Sequence, residues 1–243
     1  MQNTVIIALD FPDRSNTESF LRNFHGESLF VKVGMELFYR EGISIVNTLK
    51  EKGHRVFLDL KLHDIPNTVH KAMKNLAAAG VDMVNVHGAG GISMMAAAKE
   101  GLYAGSSSGQ NPLLIAVTQL TSTSEEMLNE ELLIKGCSLD QAVLHYALNA
   151  KKAGLDGVVS SVNESTVIKE VCGSQFITVT PGIRLAGGKV HDQIRVATPR
   201  DAAIAKADYI VAGRSITEAE DPRAAYTQIY QEWSGQQHEI TYR

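Results

Sequence analysis

Eight short apolar runs recur along the chain: Val5–Asp10, Leu29–Gly34, Arg55–Lys61, Asp82–His87, Leu113–Thr118, Asp156–Ser161, Phe176–Pro181 and Tyr209–Gly213. Each is about strand length and rich in Val, Ile and Leu. The segments between them read mostly as helices. Asn67–Ala79 has Pro66 near its start, alanines within it and Gly80 after it; this is the proline-in, glycine-out signature of a helix. Ser138–Ala153 carries Leu139, Ala142, Val143, Tyr146, Ala147 and Ala150 as one apolar stripe, with Gly154 following. Strand alternating with helix predicts a parallel sheet. Eight such units predict a closed α/β fold, a single-domain (β/α)8 TIM barrel over residues 1–243. The alternative, an open doubly wound sheet, usually has fewer strands.

Strand parity then sorts the polar residues. Side chains alternate faces along a strand. Ile6, Ala8 and Asp10 share one face of the first run, and Val5, Ile7 and Leu9 the other. Lys32 is opposite in parity to Val31 and Val33. Phe57, Asp59 and Lys61 share a face, opposite Leu58, Leu60 and Leu62. The wholly apolar faces should pack beneath helices, so Asp10, Lys32, Asp59 and Lys61 should point into the barrel. They stand late in their strands, at the end where a barrel of this kind gathers its chemistry. A barrel strand has no solvent face, so charges there must pair within a site.

The sharpest block is Asp59-Leu60-Lys61-Leu62-His63-Asp64. Lys32, Asp59, Lys61 and Asp64 can form an array of alternating ammonium and carboxylate groups that positions Lys61 as a general acid. Asp64 stands just ahead of Pro66, where an aspartate also serves as a helix N-cap. The last two runs offer an anion site: Thr180-Pro181-Gly182-Ile183-Arg184 ends the seventh and Val211-Ala212-Gly213-Arg214-Ser215 ends the eighth. Barrels often hold phosphate there on loop amides, and Arg214 can add a bidentate contact. The long connection from Gly182 to Ala197, with Gly187, Gly188, Lys189 and Gln193, has the length and content of a lid, with a disordered insertion as the alternative.

Composition narrows the partners. With 243 residues, 44% hydrophobic, and a formal net charge of −4, the chain can bury one large core and has no basic field for nucleic acid or an anionic membrane. The apolar run from Val5 to Leu9 is too short for a signal-peptide core, and no stretch reaches the ~20 apolar residues of a membrane span. Cys137 and Cys172 match no metal-ligand spacing and read as reduced thiols of a cytoplasmic protein. His87-Gly88-Ala89-Gly90-Gly91 lacks dinucleotide-binding spacing and reads as a tight turn, with His87 a hydrogen-bonded barrel residue rather than a metal ligand. No nucleophile-elbow motif occurs.

From Val5 to Ser215 the chain resembles the orotidine 5′-phosphate decarboxylases. The likeness is carried by Ile7-Ala8-Leu9-Asp10, Val31-Lys32-Val33-Gly34, Asp59 through Thr68, Val117 through Ser122, Thr180 through Arg184 and Val211 through Ser215. The resemblance implies decarboxylation of orotidine 5′-monophosphate to uridine 5′-monophosphate, the last step of de novo pyrimidine nucleotide synthesis, with no metal and no organic cofactor. It implies that Asp10 and Lys32 bind the ribose hydroxyls, with Lys32 also in the charge network. Asp59 would sit against the scissile carboxylate, and Lys61 would protonate C6. Asp64 and Thr68 would reach into the partner's site of a homodimer, and Thr121 would touch the pyrimidine. Arg184, Gln193, Gly213 and Arg214 would form the phosphate end, with Gln193 on the closing lid. A sister family, the 3-keto-L-gulonate 6-phosphate decarboxylases, shares the Asp-x-Lys-x-x-Asp block but uses magnesium; a cation at Lys32 would oppose a metal. A non-catalytic phosphate sensor on the same barrel would have no need of a buried acid.

Overall fold

A computed structural model describes residues 5–107, 111–185 and 197–241, with side chains to residue 235. Eight parallel strands close into a barrel in chain order: β1 (Val5–Ala8), β2 (Phe30–Val33), β3 (Arg55–Leu62), β4 (Met83–His87), β5 (Leu113–Val117), β6 (Gly157–Val159), β7 (Ile177–Thr180) and β8 (Tyr209–Ala212). Closure is made by β8 against β1, with Val5 opposite Ile210 and Ile7 opposite Ala212. Most of the predicted runs are longer than the observed strands by one or two residues. The extra residues fall at both strand ends, where limits are least defined: Asp10 and Thr118 follow their strands at the mouth, and Asp82 and Asp156 precede theirs at the opposite rim.

The helices are α1 (Arg14–Leu21), α2 (Met35–Glu41), α3 (Ile43–Glu51), α4 (Pro66–Ala78), α5 (Gly91–Gly105), α6 (Leu139–Lys152), α7 (Val162–Cys172), α8 (Pro199–Ile204), α9 (Arg214–Thr217) and α10 (Pro222–Thr241). Ser138 caps α6 through a box with Gln141 rather than forming its first turn. Asp64 does not cap α4. Pro66 occupies the first helical position and leaves extended Ile65 (φ −58°, ψ 148°) as the cap, so Asp64 falls one residue outside. Its Oδ1 accepts the Ile65 N–H instead, at 2.6 Å. Helices α4 and α5 approach closely because Gly101 and Gly105 face the α4 backbone, where a Cβ would collide with the carbonyls of His70 and Lys74. No helix among the described residues is long and apolar enough to cross a membrane.

The parity argument is visible as two separate apolar clusters. Ile6, Ala8, Phe30, Phe57, Met83, Ile115, Val179 and Val211 fill the barrel. Val5, Ile7, Val31, Val33, Val56, Leu58, Val84 and Val86 belong to a larger cluster between strands and helices. Each strand divides its residues between these two layers, which is what fixes its register.

The N-terminal rim repeats one arrangement three times. Asp82, Asp156 and Asp208 each stand immediately before an even-numbered strand. One carboxylate oxygen accepts the backbone N–H of the preceding strand, from Val56, Leu114 and Thr178 respectively, at 2.7 Å in each case. The same oxygen accepts a lysine ammonium at 2.6 Å, from Lys50 on α3, Lys99 on α5 and Lys169 on α7. Each clamp thus ties a helix, the strand after it and the next strand together, and leaves the opposite rim for chemistry.

Candidate active site

Four charged side chains alternate across the mouth of β1, β2 and β3. Lys32 Nζ lies 3.0 Å from Asp10 Oδ1 and 3.4 Å from Asp59 Oδ2, and Lys61 Nζ lies 2.7 Å from Asp59 Oδ1. Asp59 and Lys32 are 14% and 13% exposed, while Asp10 opens to solvent. Burial opposes charge on both inner groups but loses to their neighbours. Burial works to lower the Lys32 pKa, yet Asp59 and Asp10 hold it above the ordinary lysine value. Burial works to raise the Asp59 pKa, yet Lys32 and Lys61 hold it below the ordinary aspartate value. Both stay ionised at neutral pH, a fixed field in a partly dry site.

The backbone of β3 departs from regular geometry to make this. Phe57 pairs with Met83 and Leu58 with Val84, but the next pair is Leu62 with Val86. Three residues, Asp59 to Lys61, therefore oppose Asn85 alone. Lys61 takes φ 53°, in the left-handed region that non-glycine residues avoid. The surplus is two residues, an even number, so Leu60 and Leu62 still pack against the outer cluster and the inner face keeps its chemistry. Asn85, 1% exposed, accepts the Lys61 N–H at 2.8 Å and donates to Asp59 Oδ1 at 2.7 Å. The sequence reading passed over Asn85, although it shares parity with Met83 and is polar within an apolar strand.

One pocket collects most of the expected residues. Asp10, Lys32, Asp59 and Lys61 line one side, and Thr121, Arg184, Gly213 and Arg214 another. Its apolar wall comes from inner-face residues such as Phe57, Val117, Val159 and Val179. The β7 and β8 loops are tied at Ile183, whose carbonyl accepts Arg184 Nη1 at 3.1 Å and Ser215 Oγ at 3.2 Å. The long connection is pinned at its base: Arg184 N–H donates to the Ala197 carbonyl, and Ala197 N–H to that of Gly182. Gly187, Gly188, Lys189 and Gln193 lie outside the described residues, and with them the expected lid.

Asp64 and Thr68 are not brought into this pocket. Both are exposed, on the β3–α4 loop and the first turn of α4. Among the described residues Asp64 forms no ion pair, so the second carboxylate of the chain's own array is Asp10. The array that the sequence allowed for Lys32, Asp59, Lys61 and Asp64 is therefore not formed within one chain, and the resemblance had assigned Asp64 and Thr68 to a partner's site.

Beside Lys61, His87 stacks on His63 with ring centroids 5.5 Å apart, and its Nδ1 accepts the Ala89 N–H at 3.2 Å. Burial, then the nearby His63 and Lys61, lowers the His87 pKa. His87 is thus the hydrogen-bonded barrel residue expected. Among the described residues no three His, Cys, Asp or Glu side chains group to hold a metal ion. Cys137 and Cys172 are both free thiols.

This geometry can hold an anionic group at the β7–β8 end and present an ammonium at the β3 end. Comparison with known proteins agrees. Residues 3–229 match the family model described as orotidine 5′-phosphate decarboxylase / HUMPS. A relative from Bacillus cereus strain AH820, named orotidine 5′-phosphate decarboxylase, is 60% identical over 97% of this chain and 99% of its own. The solved orotidine 5′-phosphate decarboxylase of Lactobacillus acidophilus is 42% identical, with TM-score 0.86 over 96% of this chain and 99% of that one. The enzyme of that name from Pyrococcus horikoshii OT3 keeps a TM-score of 0.74 at 26% identity, over 95% of this chain and 99% of that one. Barrel, charge array and sequence agree that this chain belongs to the orotidine 5′-phosphate decarboxylase / HUMPS family.

Proposed function

We propose that the chain is a carboxy-lyase that converts orotidine 5′-monophosphate to uridine 5′-monophosphate, with Lys61 as the proton donor to C6. The observation that carries this reading is the run Asp10–Lys32–Asp59–Lys61 at one side of a pocket that also presents Arg214.

The chemistry suits these groups. Breaking the bond from C6 to the carboxylate releases carbon dioxide and leaves an electron pair on C6, in the ring plane, with no adjacent sink. An ammonium aimed at that carbon stabilises the developing charge and then donates its proton, giving the product. Lys61 is left neutral and regains a proton from solvent. Asp59, ionised and fixed between two lysines, lies where the substrate carboxylate would be crowded. Asp10 and Lys32 suit the ribose hydroxyls, and Thr121 the pyrimidine edge. Arg184, Gly213 and Arg214, with Gln193, suit the phosphate. Binding of this remote dianion can be used to organise the reacting end, so that it appears in the rate of the chemical step. No step calls for a metal or an organic cofactor.

The whole chain, residues 1–243, is read as one catalytic domain, and as an enzyme of pyrimidine synthesis it is assigned to the cytoplasm. A homodimer with shared sites is part of the proposal. Met35, Ile65 and Ile92, 45%, 67% and 42% exposed, follow three consecutive strands at the rim that carries Asp64 and Thr68. Exposed apolar residues concentrated beside a site mark an interface. Across it, Asp64 and Thr68 would complete the partner's array.

The direct test is loss of orotidine 5′-monophosphate absorbance on incubation with the purified protein, in the presence and absence of EDTA. Turnover that survives exhaustive chelation is expected. Turnover lost to EDTA and restored by magnesium would move the chain to the metal-dependent sister enzymes of its family. Binding without turnover would make it a sensor.

A further inference from the structure

We infer that Asn85 is a positioning residue for the decarboxylation, acting through both Asp59 and Lys61. The inference rests on the function proposed above. The Asn85 side chain is buried in β4 at the point where β3 bulges, and both ends of its amide are used by catalytic groups. The Lys61 N–H can only donate and the ionised Asp59 carboxylate can only accept. The two contacts, 2.8 and 2.7 Å, therefore fix which end of the amide is oxygen. The oxygen holds Lys61 in its left-handed backbone conformation, and the nitrogen holds Asp59.

Asp59 Oδ1 receives two donors, the Lys61 ammonium and the Asn85 amide. They differ over a catalytic cycle. Once Lys61 has given its proton to C6 it is a neutral amine and a weak donor, whereas the amide does not titrate. Asn85 therefore keeps a donor on Asp59 Oδ1 when that oxygen loses its charged partner, while Lys32 remains 3.4 Å from Oδ2. Leucine at this position would keep the branching at Cγ but leave the Lys61 N–H and one Asp59 lone pair unsatisfied in a buried site. Aspartate would keep the acceptor for Lys61, and hence the bulge, but replace the donor to Asp59 with a like charge.

That asymmetry supplies the test. For Asn85→Asp at pH 7, kcat should fall by about a hundredfold or more, with the Kd for uridine 5′-monophosphate within about threefold of wild type. Toward pH 5 the ratio of variant to wild-type kcat should rise, because the introduced carboxyl takes up a proton and can donate again. His87 and His63, beside Lys61, and Lys32, across Asp59, are common to both proteins and cancel in that ratio. A kcat within about threefold of wild type, a ratio that does not change with pH, or a loss of kcat matched by loss of product affinity would overturn the assignment. If Asn85→Asp does not fold, Asn85→Ser decides. A drop in kcat of roughly ten- to a hundredfold with product affinity kept supports positioning, and wild-type kcat overturns it. Wild-type protein run alongside separates the two claims: if it fails to consume orotidine 5′-monophosphate, the decarboxylase reading falls, whatever the variants do.

Discussion

Lys61 Nζ lies 2.7 Å from Asp59 Oδ1, on side chains that leave the same strand two residues apart. In a regular strand such residues are spaced by about 6.6 Å along one face. Here the intervening backbone bulges against Asn85 and Lys61 adopts φ 53°. The ammonium is consequently presented by a backbone that neighbouring side chains hold out of its preferred conformation, a pattern common where geometry serves chemistry.

Lys61→Ala should abolish nearly all turnover and leave product-nucleotide affinity largely intact, because the phosphate and ribose contacts are elsewhere in the pocket. Steady-state kinetics and product titration check it. A variant retaining more than about a tenth of wild-type kcat, ~1.4 kcal/mol of barrier, would remove Lys61 from the role of acid.

Arg214→Ala should lower kcat/KM by roughly 2–5 kcal/mol, the range for truncating one partner of a buried charge pair. The same substitution assayed on a substrate lacking the phosphate should show a much smaller defect, since the contact is then missing from both proteins. Equal fold-losses on the two substrates would place Arg214 outside the phosphate site.

Acid should weaken the array through Asp59. Its folded pKa is held below the ordinary aspartate value of 3.8, so as pH falls the unfolded chain takes up this proton first. The stability from ionised Asp59 is complete above the unfolded value and is lost as pH drops through the folded one. Lys32 behaves in the opposite sense: its pKa is raised above 10.5, so its contribution is present below that value and lost only in strong alkali. Denaturant melts of wild type and Asp59→Asn should differ by a constant amount from about pH 6 to 7. Below about pH 5 wild type should lose stability relative to the variant. A difference that holds constant down to pH 3 would contradict the lowered pKa.

If each site is shared between subunits, two dead proteins can rescue one another. Lys61→Ala and Asp64→Ala chains, unfolded together in equal amounts and refolded, should pair at random, so about half of the dimers are mixed. One site of a mixed dimer carries both lesions. The other joins Lys61 from one chain to Asp64 from the other and is intact, so about a quarter of all sites should turn over at the wild-type rate. Stable mixed dimers with no recovered activity would mean that Asp64 serves its own barrel, provided wild-type protein refolds fully under the same conditions.

Much of this was legible because period-two alternation survives closure into a barrel. Asp10, Lys32, Asp59 and Lys61 were placed on the inner face by parity alone, and all four line the pocket. What escaped depends on contacts that no periodicity encodes. The bulge in β3 inserts an even number of residues, so it leaves the alternation intact and is invisible in the pattern. Asn85 reads as one polar residue among Met83, Val84 and Val86 until its two partners are seen. The place of Asp64 depends on Pro66 setting the cap at Ile65, a local backbone effect that outweighed the usual preference of aspartate for that position.

The three lysine–aspartate clamps at the N-terminal rim give the molecule redundancy at one end only. Each ties its own helix and strand pair, so losing Asp156 would leave the Asp82 and Asp208 clamps whole. Among the described residues the bulge of β3, Lys61 in its left-handed conformation and buried Asn85 have no second copy at the mouth. A substitution at the floor therefore weakens one of several equivalent ties, whereas a substitution at the mouth removes a part with no substitute. Random mutation of this chain should accordingly yield two populations, one of active proteins with lowered melting points and one of stable proteins that do no chemistry.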